Sequence, residues 1–203
     1  MVPRPRRLLR HEARPLREAS CLTRDESKGK AKGKFEQATN TLTGGGGEAQ
    51  LAIAGVGTVK CESASSEEQL RSPITGESKF SLQGCRLAGE SCSSVGSTAG
   101  TIASSALEAL VYEEGEKLYT AVVGEPALMS FTCDATRYTV SGEASGETTG
   151  ATNAMASTAK VHFAPGAGSQ ALRTEDGKGS AETTLELTLT TAGTEALELR
   201  TGS

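Results

Sequence analysis

The residues of this 203-residue chain with the most distinctive chemistry are five cysteines, at positions 21, 61, 85, 92 and 133. A zinc knuckle needs cysteines two to four residues apart, and no pair here has that spacing. Beyond residue 34, His162 is the one histidine that could assist a metal or activate a thiol, and it falls at a polar position of a predicted strand. The sequence therefore predicts no metal site, no cofactor and no cysteine nucleophile.

Disulfide bonds suit four of these cysteines better. Cys85 and Cys92 flank a short turn, which predicts that they pair with each other. Cys61 and Cys133 each follow an apolar residue by two positions, which puts them on the buried faces of two strands and predicts the second bond. Cys21 would then stay free. Such bonds persist in an oxidising compartment, and the alternative is four reduced, buried thiols in a cytosolic protein.

Other combinations with possible chemistry are short and incomplete. A serine-hydrolase elbow needs Gly-x-Ser-x-Gly, whereas the segment around Ser91 ends in Ser93. Residues 55–57 (Gly-Val-Gly) lack the third glycine of a dinucleotide loop. The remaining candidates favour structural roles: Glu113, Glu114 and Glu116 on a solvated hairpin, Asn153 in a turn, and Met155 in the core. No catalytic residue is predicted.

The elements that must position these residues read as strands. Apolar and polar residues alternate with a period of two, which is typical of strands with one wet and one buried face. The clearest segment is 185–189, where three leucines alternate with Glu186 and Thr188. The same alternation occurs at residues 51–53, 59–61, 80–82, 129–133, 138–140, 161–163 and 197–199. The sequence predicts one all-β domain over residues 35–203, an antiparallel β-sandwich or barrel.

Three segments fit this pattern less well. Residues 44–47 are four glycines, which predict a flexible loop, and residues 62–72 are mostly polar and predict another. Residues 103–114 have apolar residues at helical spacing, so the sequence leaves helix and strand open there.

The charge is distributed unevenly along the chain. Residues 1–34 hold eleven Lys and Arg against four Asp and Glu, a net +7, so residues 35–203 carry −11 of the total of −4. An acidic body repels nucleic acid and anionic membranes, and the arm has no aromatic residue to stack on bases. Residues 1–34 are therefore predicted to be a disordered basic arm, with no nucleic-acid partner and no transmembrane segment.

A series of short motifs runs over about residues 31–200: Gly84-Cys85, residues 91–94 and 100–102, Phe131-x-Cys133, Asn153-x-Met155 and Gln170. In their order and spacing these motifs resemble a group of exported β proteins that recur in soil actinobacteria. This resemblance implies an exported protein with paired cysteines and no particular activity. The chain differs from the group in having no apolar leader after its first Met and in having Asn40 where a cysteine is usual.

Together these observations predict a non-enzymatic exported or cell-surface module with a binding or structural role and a possible partner in the cell envelope. The alternatives are a surface-acting hydrolase and a small-ligand carrier with a barrel cavity. A cleft that gathers His162 with carboxylates would favour the hydrolase, and an apolar hollow inside a barrel would favour the carrier.

Overall fold

The structure is a computed structural model, and it describes residues 22–23, 36–37, 41–71, 74–150, 156–175, 179–191 and 197–198. Every regular element in these ranges is a β-strand, so the predicted all-β class is confirmed. The strands are β1 (Leu22–Thr23), β2 (Glu36–Gln37), β3 (Thr41–Gly46), β4 (Ala49–Ile53), β5 (Gly57–Cys61), β6 (Ser63–Leu70), β7 (Thr75–Gln83), β8 (Arg86–Leu87), β9 (Glu90–Ser93), β10 (Ile102–Ala103), β11 (Leu107–Glu114), β12 (Lys117–Cys133), β13 (Thr136–Thr149), β14 (Thr158–Phe163), β15 (Gln170–Thr174), β16 (Ser180–Thr191) and β17 (Leu197–Glu198).

The large antiparallel sheet closes on itself. At one end, β3, β6, β7, β11, β12, β13, β14 and β16 pair in that order, and β16 pairs back with β3. At the other end, the cycle is β4, β5, β8, β9, β12, β13, β15 and β16, and β16 pairs back with β4. Each cycle has eight strands, so the fold is the barrel of the two predicted architectures.

The two ends share their longest strands. β12, β13 and β16 run through both cycles, whereas β7 and β11 belong to the first end and the β8–β9 hairpin takes their place at the second. The hairpin pairs with β5 on one side and β12 on the other. It therefore completes the wall of the barrel at the second end, where β7 has already ended at Gln83.

Alternating apolar side chains fill the interior, as an eight-stranded barrel is just wide enough for its side chains to fill. Leu185, Leu187 and Leu189 of β16 are buried, and Leu187 is only 1 % exposed. The rings of Phe80 and Phe163 meet edge to face near the middle, with centroids 6.4 Å apart. The predicted inward face of the leucine-rich segment is confirmed.

Residues 44–47 do not form the predicted flexible loop, because the first three glycines belong to β3. A Cβ at Gly44 would collide with the Ser66 hydroxyl, and one at Gly46 would collide with the backbone carbonyl of Glu186. Glycine here lets neighbouring strands approach closely rather than giving the chain flexibility.

Residues 62–72 do not form a polar loop either, since β6 occupies Ser63–Leu70. Ala64, Ser66 and Glu68 are buried in the barrel while the residues between them face outward. The prediction was wrong because two of the three inward-facing side chains are polar, so the strand has no visible apolar alternation.

Residues 103–114 are strand, not helix. Leu107 and Ala109 of β11 point inward, and Leu110 lies on the outer face, 37 % exposed. The helical spacing in the sequence came from this outward-facing leucine, and pairing with β7 and β12 on both sides overrides it.

β1, β2 and β17 form a separate three-stranded sheet of two-residue strands. The predicted disordered arm over residues 1–34 lies almost entirely outside the described residues and stays a prediction. No helix in the described ranges could cross a lipid bilayer.

Candidate functional site

Four cysteines lie side by side across four neighbouring chain segments at the second end of the barrel. Cys61 ends β5, Cys85 precedes β8, Cys92 lies in β9, and Cys133 ends β12. Cys61 is bonded to Cys85 with Cα atoms 3.9 Å apart, and Cys92 is bonded to Cys133 with Cα atoms 4.2 Å apart. The amide of Cys92 donates a 2.9 Å hydrogen bond to the carbonyl of Cys85. The order across this cysteine row is therefore Cys61, Cys85, Cys92, Cys133.

The prediction that these four cysteines form disulfides is confirmed, but the predicted partners, Cys85 with Cys92 and Cys61 with Cys133, are wrong. Cys61 and Cys133 occupy the two ends of the row. Three strand spacings separate them, about 14 Å, whereas a disulfide requires Cα atoms within about 7 Å. Bonding the middle pair would leave both end cysteines without a partner. Two buried disulfides indicate an oxidising, non-cytoplasmic location.

The disulfides fix the β8–β9 hairpin to the barrel on both sides. Beyond the hairpin, residues 94–101 form a loop. Hydrogen bonds join the two ends of this loop to each other and to neighbouring segments. The Ser94 amide donates to the Thr101 carbonyl, and the Ser94 hydroxyl donates to the Ser130 carbonyl of β12 at 2.7 Å. The Cys85 amide donates to the Gly100 carbonyl. This pinned loop holds Val95 almost fully in solvent, 94 % exposed.

An open groove of about 770 Å³ runs beside the hairpin. Its walls carry both signs of charge, from Lys60 and Arg86 and from Glu48 and Glu62, and the exposed Val56 adds an apolar side chain. The Arg86 guanidinium donates to the Gly89 carbonyl at the hairpin turn, which orders one wall of the groove. The end with the cysteine row therefore combines a rigid loop, an exposed valine and a mixed-charge groove.

The other end of the barrel holds a buried carboxyl group. Glu68 projects from β6 into an interior cavity of about 40 Å³, here called the end chamber. Its walls are mainly aliphatic, with Thr75, Gly76, Thr120 and Thr148 among residues that are otherwise apolar: Leu42, Leu70, Ile74, Ala109, Val111, Ala159 and Leu189. The Ser78 hydroxyl of β7 donates a hydrogen bond to the Glu68 carboxyl.

Burial raises the pKa of Glu68 from 4.5 to about 7, because the ionised form loses its hydration inside the barrel. The hydroxyls of Ser78 and Ser66 partly oppose this rise in the pKa. The Ser66 hydroxyl is itself buried and is not part of the chamber lining. A carboxyl with a pKa close to neutrality inside an apolar cavity is a candidate binding or proton-exchanging group.

A second interior cavity of about 40 Å³ lies on the hairpin side of the barrel. Its walls include Phe80, Phe163, Leu82, Val122 and Leu128 and are almost entirely apolar. Pockets for drug-sized ligands are several hundred Å³ in volume. The interior therefore has room only for a small group at each cavity.

His162 lies on the outer face of β14, where it faces solvent. Its neighbours across the strands are Glu147 and Glu186. These two carboxylates form salt bridges with lysines, Glu147 with Lys117 at 2.9 Å and Glu186 with Lys160 at 3.2 Å. The structure places His162 and these carboxylates on the convex outer wall of the barrel and not in a cleft. No group of three His, Cys, Asp or Glu residues in the described ranges could hold a metal ion.

The other sequence candidates have structural positions. Glu113, Glu114 and Glu116 surround the tight β11–β12 turn, in which Gly115 has a φ of 67°. Residues 55 and 56 lie in the β4–β5 turn, and Gly57 begins β5. Ser91 lies in β9 next to the disulfide-bonded Cys92. Cys21, Asn153 and Met155 lie outside the described residues.

Sequence reasoning missed Glu68 altogether. An acidic residue in a run of Ser, Glu and Gln reads as solvent-exposed, since isolated carboxylates are rarely buried. The available signal was that Ala64 and Leu70 flank Ser66 and Glu68 at even spacing, which is weak without knowledge of the neighbouring strand. Comparison with protein families, with curated proteins and with solved structures finds no match for this chain.

Proposed function

We propose that this chain is a non-enzymatic module of the cell exterior that works by binding, through the barrel end with the cysteine row. The observation that carries the proposal is the pinned loop 94–101, held by two disulfides and by Ser94, which exposes Val95. A loop fixed before binding loses little conformational entropy when it meets a partner. An exposed apolar residue on a fixed loop, at a barrel end that also has a mixed-charge groove, suits contact with a protein surface of the cell envelope.

Two further observations support this proposal. The disulfides suit an extracellular or cell-surface location, and the resemblance to exported proteins of soil actinobacteria points the same way. The carboxylates next to His162 are engaged by Lys117 and Lys160, as in a solvated wall of charged pairs. A surface-acting hydrolase would need such groups to converge on one substrate position.

Localisation and thiol state test the first half of the proposal. Cells that make the protein are fractionated, and the thiols are alkylated after denaturation under non-reducing conditions. We expect the protein outside the cytoplasm, with residues 61, 85, 92 and 133 all protected from the alkylating reagent. Cytoplasmic protein with four reactive thiols would contradict it.

Site-specific crosslinking tests the second half. A photo-crosslinking amino acid replaces Val95, and the same amino acid replaces Lys160 on the outer face of β14 as the matched control. On intact cells we expect a defined envelope adduct from position 95 and none from position 160. Equal crosslinking from both positions would show that the pinned loop is not the binding surface.

The end chamber supports a second candidate function, a carrier for a small ligand. It places the Glu68 carboxyl, which has no cationic partner among the described residues, inside aliphatic walls. Buried charges are normally paired, so a carboxyl of this kind suits a site that a cationic ligand completes.

A further inference from the structure

The Glu68 carboxyl in the end chamber has no basic side chain beside it among the described residues. The charged side chains nearest to Glu68 on its own strand and the next are Glu67, Glu77 and Lys79, and all three lie on the outer face of the barrel. On the strands that complete the chamber, β3, β11, β12, β13, β14 and β16, the residues that line it are apolar or carry hydroxyl groups. Within the described part of the chain, no cation therefore reaches the Glu68 carboxyl.

The chamber has hydrogen-bond acceptors ready for such a cation. The Glu68 carboxyl offers the oxygen lone pairs that Ser78 does not use. The Ser66 hydroxyl acts on the Glu68 carboxyl and is not part of the chamber lining. On the opposite wall, the Thr120 and Thr148 hydroxyls are already hydrogen-bonded to each other at 2.8 Å. The Glu68 carboxyl is thus the group that a ligand would satisfy.

The volume of the chamber and its aliphatic walls limit the kind of cation that it could bind. A volume of about 40 Å³ is far below the several hundred Å³ of pockets for drug-sized ligands, so the chamber admits only a small head group. Calcium and magnesium prefer six or more oxygen ligands, which these aliphatic walls do not supply. A primary ammonium group has three N–H donors, and the methylene beside it packs well against leucine and valine.

Part of the chamber wall is only half-buried, and the rest of such a ligand would extend toward it. Leu70, Ile74 and Thr75 line the chamber where β6 ends and β7 begins, and all three are half-buried. An unbranched chain would displace these side chains least as it follows its ammonium head past them. A branched or aromatic body would not fit beside a head group in this volume.

We propose that the end chamber binds the ammonium head of a small unbranched aliphatic primary amine, with Glu68 as its counter-ion. This inference rests on the carrier function, the second candidate above. The amine enters as R–NH3+, the Glu68 carboxyl gives up its proton to solvent, and the ion pair forms without any other bond changing. Binding therefore releases a proton at a pH where free Glu68 is protonated.

The test is isothermal titration calorimetry of the full chain with n-butylamine, n-butanol and sodium butyrate at pH 6. The variants are Glu68→Gln, which keeps the shape of the side chain, and Glu67→Gln, the matched control on the outer face. We expect the amine to bind the original chain and Glu67→Gln, and to bind Glu68→Gln at least about tenfold more weakly. Titration in two buffers of different ionisation enthalpy should show close to one proton released for each amine bound.

The outcomes distinguish the amine-binding inference from the carrier function on which it rests. If n-butanol binds as tightly as the amine, and Glu68→Gln binds both normally, the ammonium site is wrong and the carrier function stands. If none of the three probes binds the original chain at millimolar concentration, both are wrong. Cooperative thermal unfolding of Glu68→Gln confirms that a lost affinity is not lost folding.

Discussion

At the scale of single residues, Glu68 is the group through which pH acts most directly on this barrel. Its pKa is about 7 in the folded protein, whereas an unperturbed glutamate, as in the unfolded chain, has a pKa of 4.5. Folding therefore favours the protonated form. The contribution of Glu68 is most favourable below pH 4.5, and it is lost as the pH rises to about 7.

The replacement of Glu68 by Gln should remove this dependence. Between pH 4.5 and 7.5, the free energy of unfolding of Glu68→Gln should rise relative to the original chain by about 3 kcal/mol. Urea unfolding across this pH range measures the difference. Glu67→Gln, on the outer face, should follow the original chain in parallel, and a parallel curve for Glu68→Gln would show that the carboxyl is not buried in solution.

Neighbouring residues of β16 should differ sharply in their effect on stability. Leu187 is buried in the barrel, and Thr188 lies on the other face of the strand and is only partly buried. Leu187→Ala should lower the free energy of unfolding by about 2–4 kcal/mol and Thr188→Ala by less than about 1 kcal/mol, measured by urea denaturation. Equal losses would contradict the inward face assigned to this strand.

At the scale of elements, the β8–β9 hairpin is the part that depends most on covalent support. It has two residues in β8 and four in β9, and such a short hairpin is marginal by itself. The two disulfides anchor its two strands to different strands of the barrel. The hairpin and the pinned loop therefore form one rigid unit only in the oxidised protein.

Peptide mapping can decide the disulfide partners without ambiguity. Trypsin cleaves at Lys60, Arg71, Lys79, Arg86, Lys117 and Arg137 and so places the four cysteines in four different peptides. Under non-reducing conditions we expect the peptide 61–71 linked to 80–86, and 87–117 linked to 118–137. A linkage between 80–86 and 87–117 would refute the arrangement of the cysteine row.

The stability of paired variants gives an independent measurement. Cys61→Ala with Cys85→Ala opens a loop of 24 residues, and Cys92→Ala with Cys133→Ala opens one of 41. Each pair should lower the free energy of unfolding by about 3–4 kcal/mol, the second slightly more, because a longer closed loop restricts the unfolded chain more. Urea denaturation of both pairs beside the original chain measures it.

At the scale of the whole molecule, we expect the stability of the barrel to be independent of the first residues of the chain. The large sheet begins at Thr41, and the two-residue strands β1, β2 and β17 belong to a separate small sheet. Deletion of residues 1–30 should therefore leave the thermal midpoint almost unchanged. A large fall in the midpoint, or loss of cooperative unfolding, would show that the arm contributes to the barrel.

The sequence by itself determined the fold class and many of the inward-facing residues. Alternation with a period of two follows from strand geometry alone, so Leu185, Leu187 and Leu189 could be assigned to the core without knowledge of their neighbours. The cysteines could likewise be assigned to disulfides from their number and their context. These are local properties, which depend on residues close together in the chain.

Only the tertiary structure decided which cysteines form disulfides with each other, which glycines lie in closely packed strands, and where the Glu68 carboxyl lies. Cys61 pairs with Cys85 because the hairpin inserts between β5 and β12, an arrangement that no local pattern encodes. Gly44 belongs to a strand because Ser66 lies against it. Glu68 is buried because β6 is enclosed by strands on both sides, and Ser78 of the next strand donates a hydrogen bond to it. Each depends on contacts between strands, which are set by closure of the barrel and not by the residues of any one segment.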